Sequence, residues 1–96
     1  MAVQAVWNGT VLARSDDTVV VEGNHYFPPD SAVREVFSPS PTRTTCPWKG
    51  VACYLTVTAG GQTLPDAAWF YPRPSPAAEQ IRNRIAFSPT VAVVPA

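Results

Sequence analysis

The sequence predicts a mainly β domain, a small antiparallel β-roll or barrel of about seven short strands with two short helices. Three observations carry that expectation. Asn8-Gly9, the dipeptide that best accepts the backbone of a type I′ turn, sits between two strand-like segments. Residues 51–58 alternate strictly, with Val51, Cys53, Leu55 and Val57 on one face and Ala52, Tyr54, Thr56 and Thr58 on the other. Eleven prolines in 96 residues leave little room for long helices. The length is that of a single domain, residues 1–96, and a chain of this size buries only about 60–65% of its unfolded surface. A roll with one edge covered by helix fits the pattern better than a closed barrel.

The elements follow in order. Ala2–Trp7 and Thr10–Arg14 form the first hairpin across Asn8-Gly9. Ser15-Asp16-Asp17 breaks the chain before the β-branched run Thr18–Glu22, and Gly23-Asn24 turns it into His25-Tyr26-Phe27, extending the hairpin to a four-strand meander. Pro28-Pro29 ends that strand, and Asp30 is placed to cap a short helix reaching Phe37, with Val33, Val36 and Phe37 on one side. Residues 38–45, polar and interrupted by proline, read as a surface loop that delivers Cys46-Pro47-Trp48-Lys49-Gly50. The alternating strand follows, then Gly60-Gly61 as a hairpin turn and Ala67–Tyr71 as its partner. Pro72, Pro74 and Pro76 end that strand, a second short helix covers Ala77–Arg82, and Arg84–Phe87 and Val91–Val94 are the last strands. No internal repeat is visible.

Seven basic and seven acidic side chains balance, so the chain lacks the electrostatic footprint of a nucleic-acid or membrane-surface binder. No apolar run has the length of a membrane span, and Met1-Ala-Val-Gln-Ala carries neither segment of a secretory signal. The expectation is a cytoplasmic protein, with Cys46 and Cys53 as free thiols. A single histidine and the absence of a CxxC pair argue against a structural metal. Walker, GxGxxG, GxSxG and HExxH motifs are all missing.

The Cys46–Gly50 segment combines a thiol, an indole and an amine in one short turn. Lys49 beside Cys46 would favour the thiolate and activate a nucleophile; alternatively the thiol packs inward while Lys49 reaches a ligand or only loop carbonyls. Glu22, at the end of an apolar strand, would have its carboxyl pKa raised toward the range useful for proton transfer, or would sit at a rim paired with an arginine. His25 is close enough in sequence to share a hydrogen bond with Glu22 across the turn, or faces solvent. Among the aromatic residues, Tyr26, Trp48, Tyr54, Trp69 and Tyr71 could line a slot for a planar compound, or simply build the core.

Taken in order, Trp7-Asn-Gly9, Glu22-Gly-Asn-His-Tyr-Phe-Pro28, Cys46-Pro-Trp-Lys-Gly50, Tyr54, Trp69-Phe-Tyr-Pro72 and Ala86-Phe87 resemble the pattern of a bacterial family, domain-of-unknown-function family 427. The likeness spans almost the whole chain. It implies a compact β-rich domain in which Glu22, Tyr26, Cys46, Trp48, Lys49, Trp69 and Tyr71 carry the pattern, and it implies no activity. The sequence departs from the pattern at Asn83 and Ser88, where glycine and an aromatic residue are expected. The family is also called nucleotidyltransferase-like, but adjacent Asp16 and Asp17 point apart in an extended segment and are better explained as turn residues.

Two functions from different classes follow. The first is an enzyme acting on a small molecule without redox cofactor or metal, in which Glu22 or His25 moves a proton while Lys49 and a Trp48-lined pocket orient the substrate; cyclisation, isomerisation or hydrolysis in specialised metabolism would fit. The second is a non-catalytic metabolite- or peptide-binding or assembly module using the same recess. Either would work as a monomer or homodimer.

Overall fold

The computed structural model describes residues 1–96. Strands β1 (Val3–Trp7) and β2 (Thr10–Ser15) form the hairpin expected from Asn8-Gly9, whose φ angles of +50° and +73° lie in the left-handed region that a type I′ turn demands. Strands β3 (Val19–Val21) and β4 (Asn24–Tyr26) form a second, very short hairpin. Strands β5 (Phe37–Cys46), β6 (Gly50–Ala59) and β7 (Gln62–Phe70) are long, and β8 (Ala86–Phe87) and β9 (Ala92–Pro95) are short. The sheets run β2-β1-β9, β3-β4 and β5-β6-β7-β8, all antiparallel, and none closes into a barrel.

The mainly β class is as expected, with nine strands rather than about seven. The two helices are not α-helices. Residues 29–31 and 34–36 make separate 3-10 turns, with Ala32 and Val33 extended between them. The Val33 N–H donates to the Leu12 carbonyl at 2.9 Å and Ala32 bridges Ala13, so this segment is tacked to the edge of β2 instead of coiling. Residues 76–81 are 3-10 in character too, interrupted at Ala78. The expected four-strand meander is broken at Asp16-Asp17, since β2 and β3 belong to different sheets.

The largest departure lies in residues 38–45, which form most of an edge strand rather than a loop. An edge tolerates Pro39 and Pro41 because a missing N–H can face solvent, and the threonine-rich run after them suits a strand. A bulge between Pro39 and Arg43 absorbs the irregularity. There Ser40, 7% exposed, donates its hydroxyl to Asp66 Oδ1 at 2.5 Å, and the Thr42 hydroxyl donates to Asp66 Oδ2 at 2.8 Å. Asp66 itself holds φ at +54°, so this carboxylate fastens β5 to β7 across β6 from a left-handed backbone position. Asp66→Ala is expected to cost about 1–3 kcal/mol, by orphaning the Ser40 hydroxyl and placing a Cβ residue with no local hydrogen bond in that region. Asp66→Asn should retain most of the stability; equal chemical-denaturation midpoints for the two variants would contradict this role.

Each face of the β5–β8 sheet covers a core. Leu55 opposes Ala68, which opposes Phe87, and these enter one core with Ala5, Leu12, Ala13 and Phe27. Tyr54 opposes Trp69, which opposes Ala86, and these pack on the other side with Val21, Tyr26, Tyr71, Ala78 and Ile81. The alternation of residues 51–58 therefore does not divide an inner from an outer face: Val57 and Ala52 are both buried, whereas Val51 is exposed. Tyr26 and Phe27, the two largest fully buried side chains, are consecutive and enter opposite cores.

Candidate functional site

Strands β5 and β6 are joined by the three-residue loop Pro47-Trp48-Lys49, with Cys46 paired to Gly50. Two bonds from Ser75 fasten the loop: its N–H donates to the Lys49 carbonyl at 2.9 Å and its hydroxyl to the Trp48 carbonyl at 2.5 Å. Sequence reasoning does not single out Ser75, because nothing in Pro74-Ser75-Pro76 signals a long-range contact. Gly50, at φ +116°, passes so close to the next segment that a Cβ would lie 3.3 Å from the Arg73 carbonyl oxygen. The loop is therefore set rigidly on the β7 exit.

Glu22 occupies the tip of the β3–β4 hairpin. The turn is Glu22-Gly23, one residue earlier than Gly23-Asn24, and Glu22 holds φ at +53°. It is thus a turn residue and not the last residue of a strand. Its carboxylate accepts from Lys49 Nζ through Oε1 and from the Trp48 indole N–H through Oε2 at 3.3 Å. Lys49, the only lysine in the chain, is 6% exposed, and its ammonium lies 5.5 Å from the Trp48 ring centroid and 5.4 Å from that of Tyr71.

Hydrogen bonds from Lys49 first and Trp48 second hold the Glu22 carboxyl below its ordinary range. The expected upward shift does not occur, because Glu22 is exposed and paired rather than desolvated. For Lys49, burial works to lower the pKa, but the Glu22 hydrogen bond and the oxygens of Tyr26 and Tyr71 outweigh it and the net shift is upward. Burial pushes the Tyr71 phenol up, against the opposing pull of the Lys49 charge. At neutral pH the site therefore holds an ammonium, a carboxylate and a protonated phenol. Lys49 in this state is no base or amine nucleophile; it is a fixed positive charge suited to an anionic oxygen.

The other aromatic candidates surround this pair. Tyr26 is fully buried and its hydroxyl accepts from the Trp69 indole N–H at 3.2 Å. Tyr54 packs on Trp69 with ring centroids 6.2 Å apart, and its hydroxyl lies 3.0 Å from that of Thr44. Cys46 is half-buried against the same core, and the ammonium expected beside its thiol points to Glu22 instead. His25 stands apart. Its Nδ1 lies 2.8 Å from the Thr18 hydroxyl, it makes no hydrogen bond to Glu22, and with Asn24, Phe87 and Ser88 it lines a separate cavity of about 420 Å³. The two sequence motifs thus converge on one point, but none of the four cavities is lined by Glu22, Trp48 or Lys49.

Residues 1–94 match the family model described as a domain of unknown function, DUF427. The chain belongs to the DUF427 family. No curated protein matches it. In this DUF427 domain Asn83, which replaces the glycine of the resembled pattern, has φ +58°, a conformation that asparagine tolerates better than most residues. Asp16 and Asp17 lie in the link between β2 and β3, and Asp17 pairs with Arg84 at 3.5 Å, in keeping with turn residues. No helix of the domain is long and apolar enough to cross a membrane.

Proposed function

We propose that this DUF427 domain is a small-molecule enzyme that works by proton transfer at the Glu22–Lys49 pair, on a planar carbonyl compound and without redox cofactor or metal. One observation carries the reading: a buried ammonium, the only one of its kind in the chain, is capped by a carboxylate that is itself half-exposed on a hairpin tip. A substrate carbonyl oxygen that takes over the ammonium releases Glu22 from the bond that depresses its pKa. The freed carboxylate then becomes a stronger base next to the substrate. Glu22 removes a proton from the carbon α to the carbonyl, the C–H electron pair becomes the enolate double bond, and the enolate oxygen is held by Lys49 with the Tyr71 phenol nearby. Return of the proton at another atom gives isomerisation, and attack of the enolate carbon on a second carbonyl carbon of the substrate, whose π pair passes to its oxygen and takes up the proton held by Glu22, gives cyclisation. Trp48 and Trp69 supply the aromatic surface for a planar body.

Solvent-deuterium uptake at the α-carbon of aryl ketones tests this. Glu22→Gln should lower the exchange rate by at least about a hundredfold, the scale of a lost general base. Unchanged exchange in Glu22→Gln would rule the mechanism out.

The non-catalytic binding module is favoured by a different observation, the absence of any cavity reaching Lys49. In that reading an anionic ligand displaces Glu22 and nothing further happens, so carboxylates bind, Glu22→Gln strengthens their binding, and no ketone exchanges.

A further inference from the structure

Three of the four cavities lie along the face of the central sheet opposite Tyr54, Trp69 and Tyr71. The first, of about 380 Å³, is lined by Gly50, Val51, Cys53, Pro72 and Arg73. The second, of about 300 Å³, and the third, of about 380 Å³, share Pro29, Leu55 and Ile85 and so form one continuous depression. The two parts share no lining residue, but Cys53 brings them side by side. It lies two residues from Leu55 on the same strand face and directly opposite Phe70, which lines the second cavity. The result is a trough running from Arg73 past Cys53, Leu55 and Phe70 toward Phe37, within the range of sizes that small-molecule sites occupy.

The floor of the trough is apolar, and the end at Arg73, an exposed residue, is charged. Neither Arg73 nor Arg34, which lines the opposite end, forms an ion pair or a side-chain hydrogen bond within the chain, unlike Arg82 and Arg84, which both have carboxylate partners. The Arg73 backbone is held in place, because Gly50 packs against the Arg73 carbonyl and Ser75 bonds to Trp48 and Lys49. Val51, beside it, is 48% exposed, a large apolar side chain left in water at the mouth of the cavity. An apolar floor with an unpaired cation at each end, of which only Arg73 stands on a backbone fastened by its neighbours, describes a site for an amphipathic anion whose head group meets Arg73.

We propose that this trough binds a medium-chain carboxylate, with the head group on Arg73 and the hydrocarbon chain along Cys53, Leu55 and Phe70. Its floor lies on the face of the sheet away from the Glu22–Lys49 pair, although the segment carrying Arg73 also fastens the Lys49 loop.

Cys53 provides the readout. In a Cys46→Ser chain, decanoate should slow alkylation of Cys53 by N-ethylmaleimide at least fivefold at saturation. Octanoate should need roughly fifteenfold more for the same protection, since each of the two missing methylenes is worth about fourfold in affinity. Decanol should protect about threefold to fivefold less well than decanoate, and Arg73→Ala should remove that difference, whereas Arg34→Ala at the far end should leave affinity within twofold. Calorimetric titration of decanoate into the unsubstituted chain gives the same affinities without relying on the Cys46 substitution. The proposal is overturned by equal protection from decanol and decanoate, by affinity that does not change with chain length, or by loss of binding in Arg34→Ala but not Arg73→Ala. It is also overturned if sedimentation shows a dimer that decanoate leaves intact and in which Cys53 is already unreactive, which would assign the trough to a second copy of the chain.

Discussion

Replacing Glu22 by alanine is expected to lower the melting temperature more than replacing Lys49 by methionine, although Glu22 is the exposed partner and Lys49 the buried one. The asymmetry comes from what each change leaves behind. Glu22→Ala strands an ammonium that is 6% exposed beneath Trp48 and beside Tyr71, without the acceptor that kept it charged at low cost. Lys49→Met keeps an unbranched stem of similar volume among the same rings and leaves behind only a carboxylate that water can reach. For a domain of this size the first change should cost roughly 10 °C and the second less than about 5 °C. Adding Lys49→Met to Glu22→Ala should restore much of the loss, the signature of two groups that act as a unit. A larger drop for Lys49→Met, or simple additivity in the double variant, would show that the pair is not what stabilises the loop.

The same pair sets a pH profile. Glu22 has a depressed folded-state pKa, so its contribution is present above the ordinary value of 4.5 and is lost as pH falls through the lower folded value. Lys49 has a raised one, so its contribution is complete below 10.5 and is lost only as pH climbs beyond it. Between about pH 6 and 9 the pair should leave stability unaffected by pH. Because Lys49 is the only lysine, reductive methylation reports on it with only the amino terminus as background. It should react slowly at pH 8 in the native chain and faster in Glu22→Ala.

What could be read from the sequence follows the range of the interactions involved. Asn8-Gly9 and Gly60-Gly61 fix their turns locally, through positive φ angles that few other residue pairs accept, and both hairpins stand where expected. The sequence predicts that the two motifs meet, as Glu22 and Lys49 do, but not the electrostatic sense of their contact. That sense depends on Glu22 being pushed out on a hairpin tip, and a one-residue shift of the turn decides it. The segments that resemble helix and loop in sequence but are extended in the fold share one cause. Ala32-Val33 and residues 38–45 acquire their extended form by pairing with β2, 19 to 21 residues back, and with β6, 6 to 18 residues ahead, and nothing in their own composition announces those partners. The two-sided burial of β6 was hidden for a related reason, since alternation looks the same whether one face or both are covered.

Phe27→Ala should be the most damaging single substitution in the chain, with consequences at Lys49 that an ordinary core deletion would lack. Phe27 is fully buried, meets Phe87 edge-on with ring centroids 5.6 Å apart, and exchanges two backbone hydrogen bonds with Ile85 at 2.8 and 2.9 Å. Losing the ring costs about 3–5 kcal/mol, a large part of the 5–15 kcal/mol that holds a typical domain together. The next residue back, Tyr26, enters the opposite core, so the β3–β4 hairpin is held by two consecutive side chains gripping different sides of the sheet. Only three residue pairs join β3 to β4, too few for a hairpin to stand alone. With the Phe27 anchor gone, the hairpin tip should no longer hold Glu22 over the ammonium. The expected result is a melting temperature lower by about 15–30 °C together with a methylation rate of Lys49 near that of Glu22→Ala, measured well below the new melting point. Phe27→Leu, which keeps an apolar group in the site, should lose less than half as much stability and leave Lys49 protected. A destabilised Phe27→Ala chain whose lysine stays slow to react would mean that Glu22 is positioned by the loop it touches and not by the core beneath it.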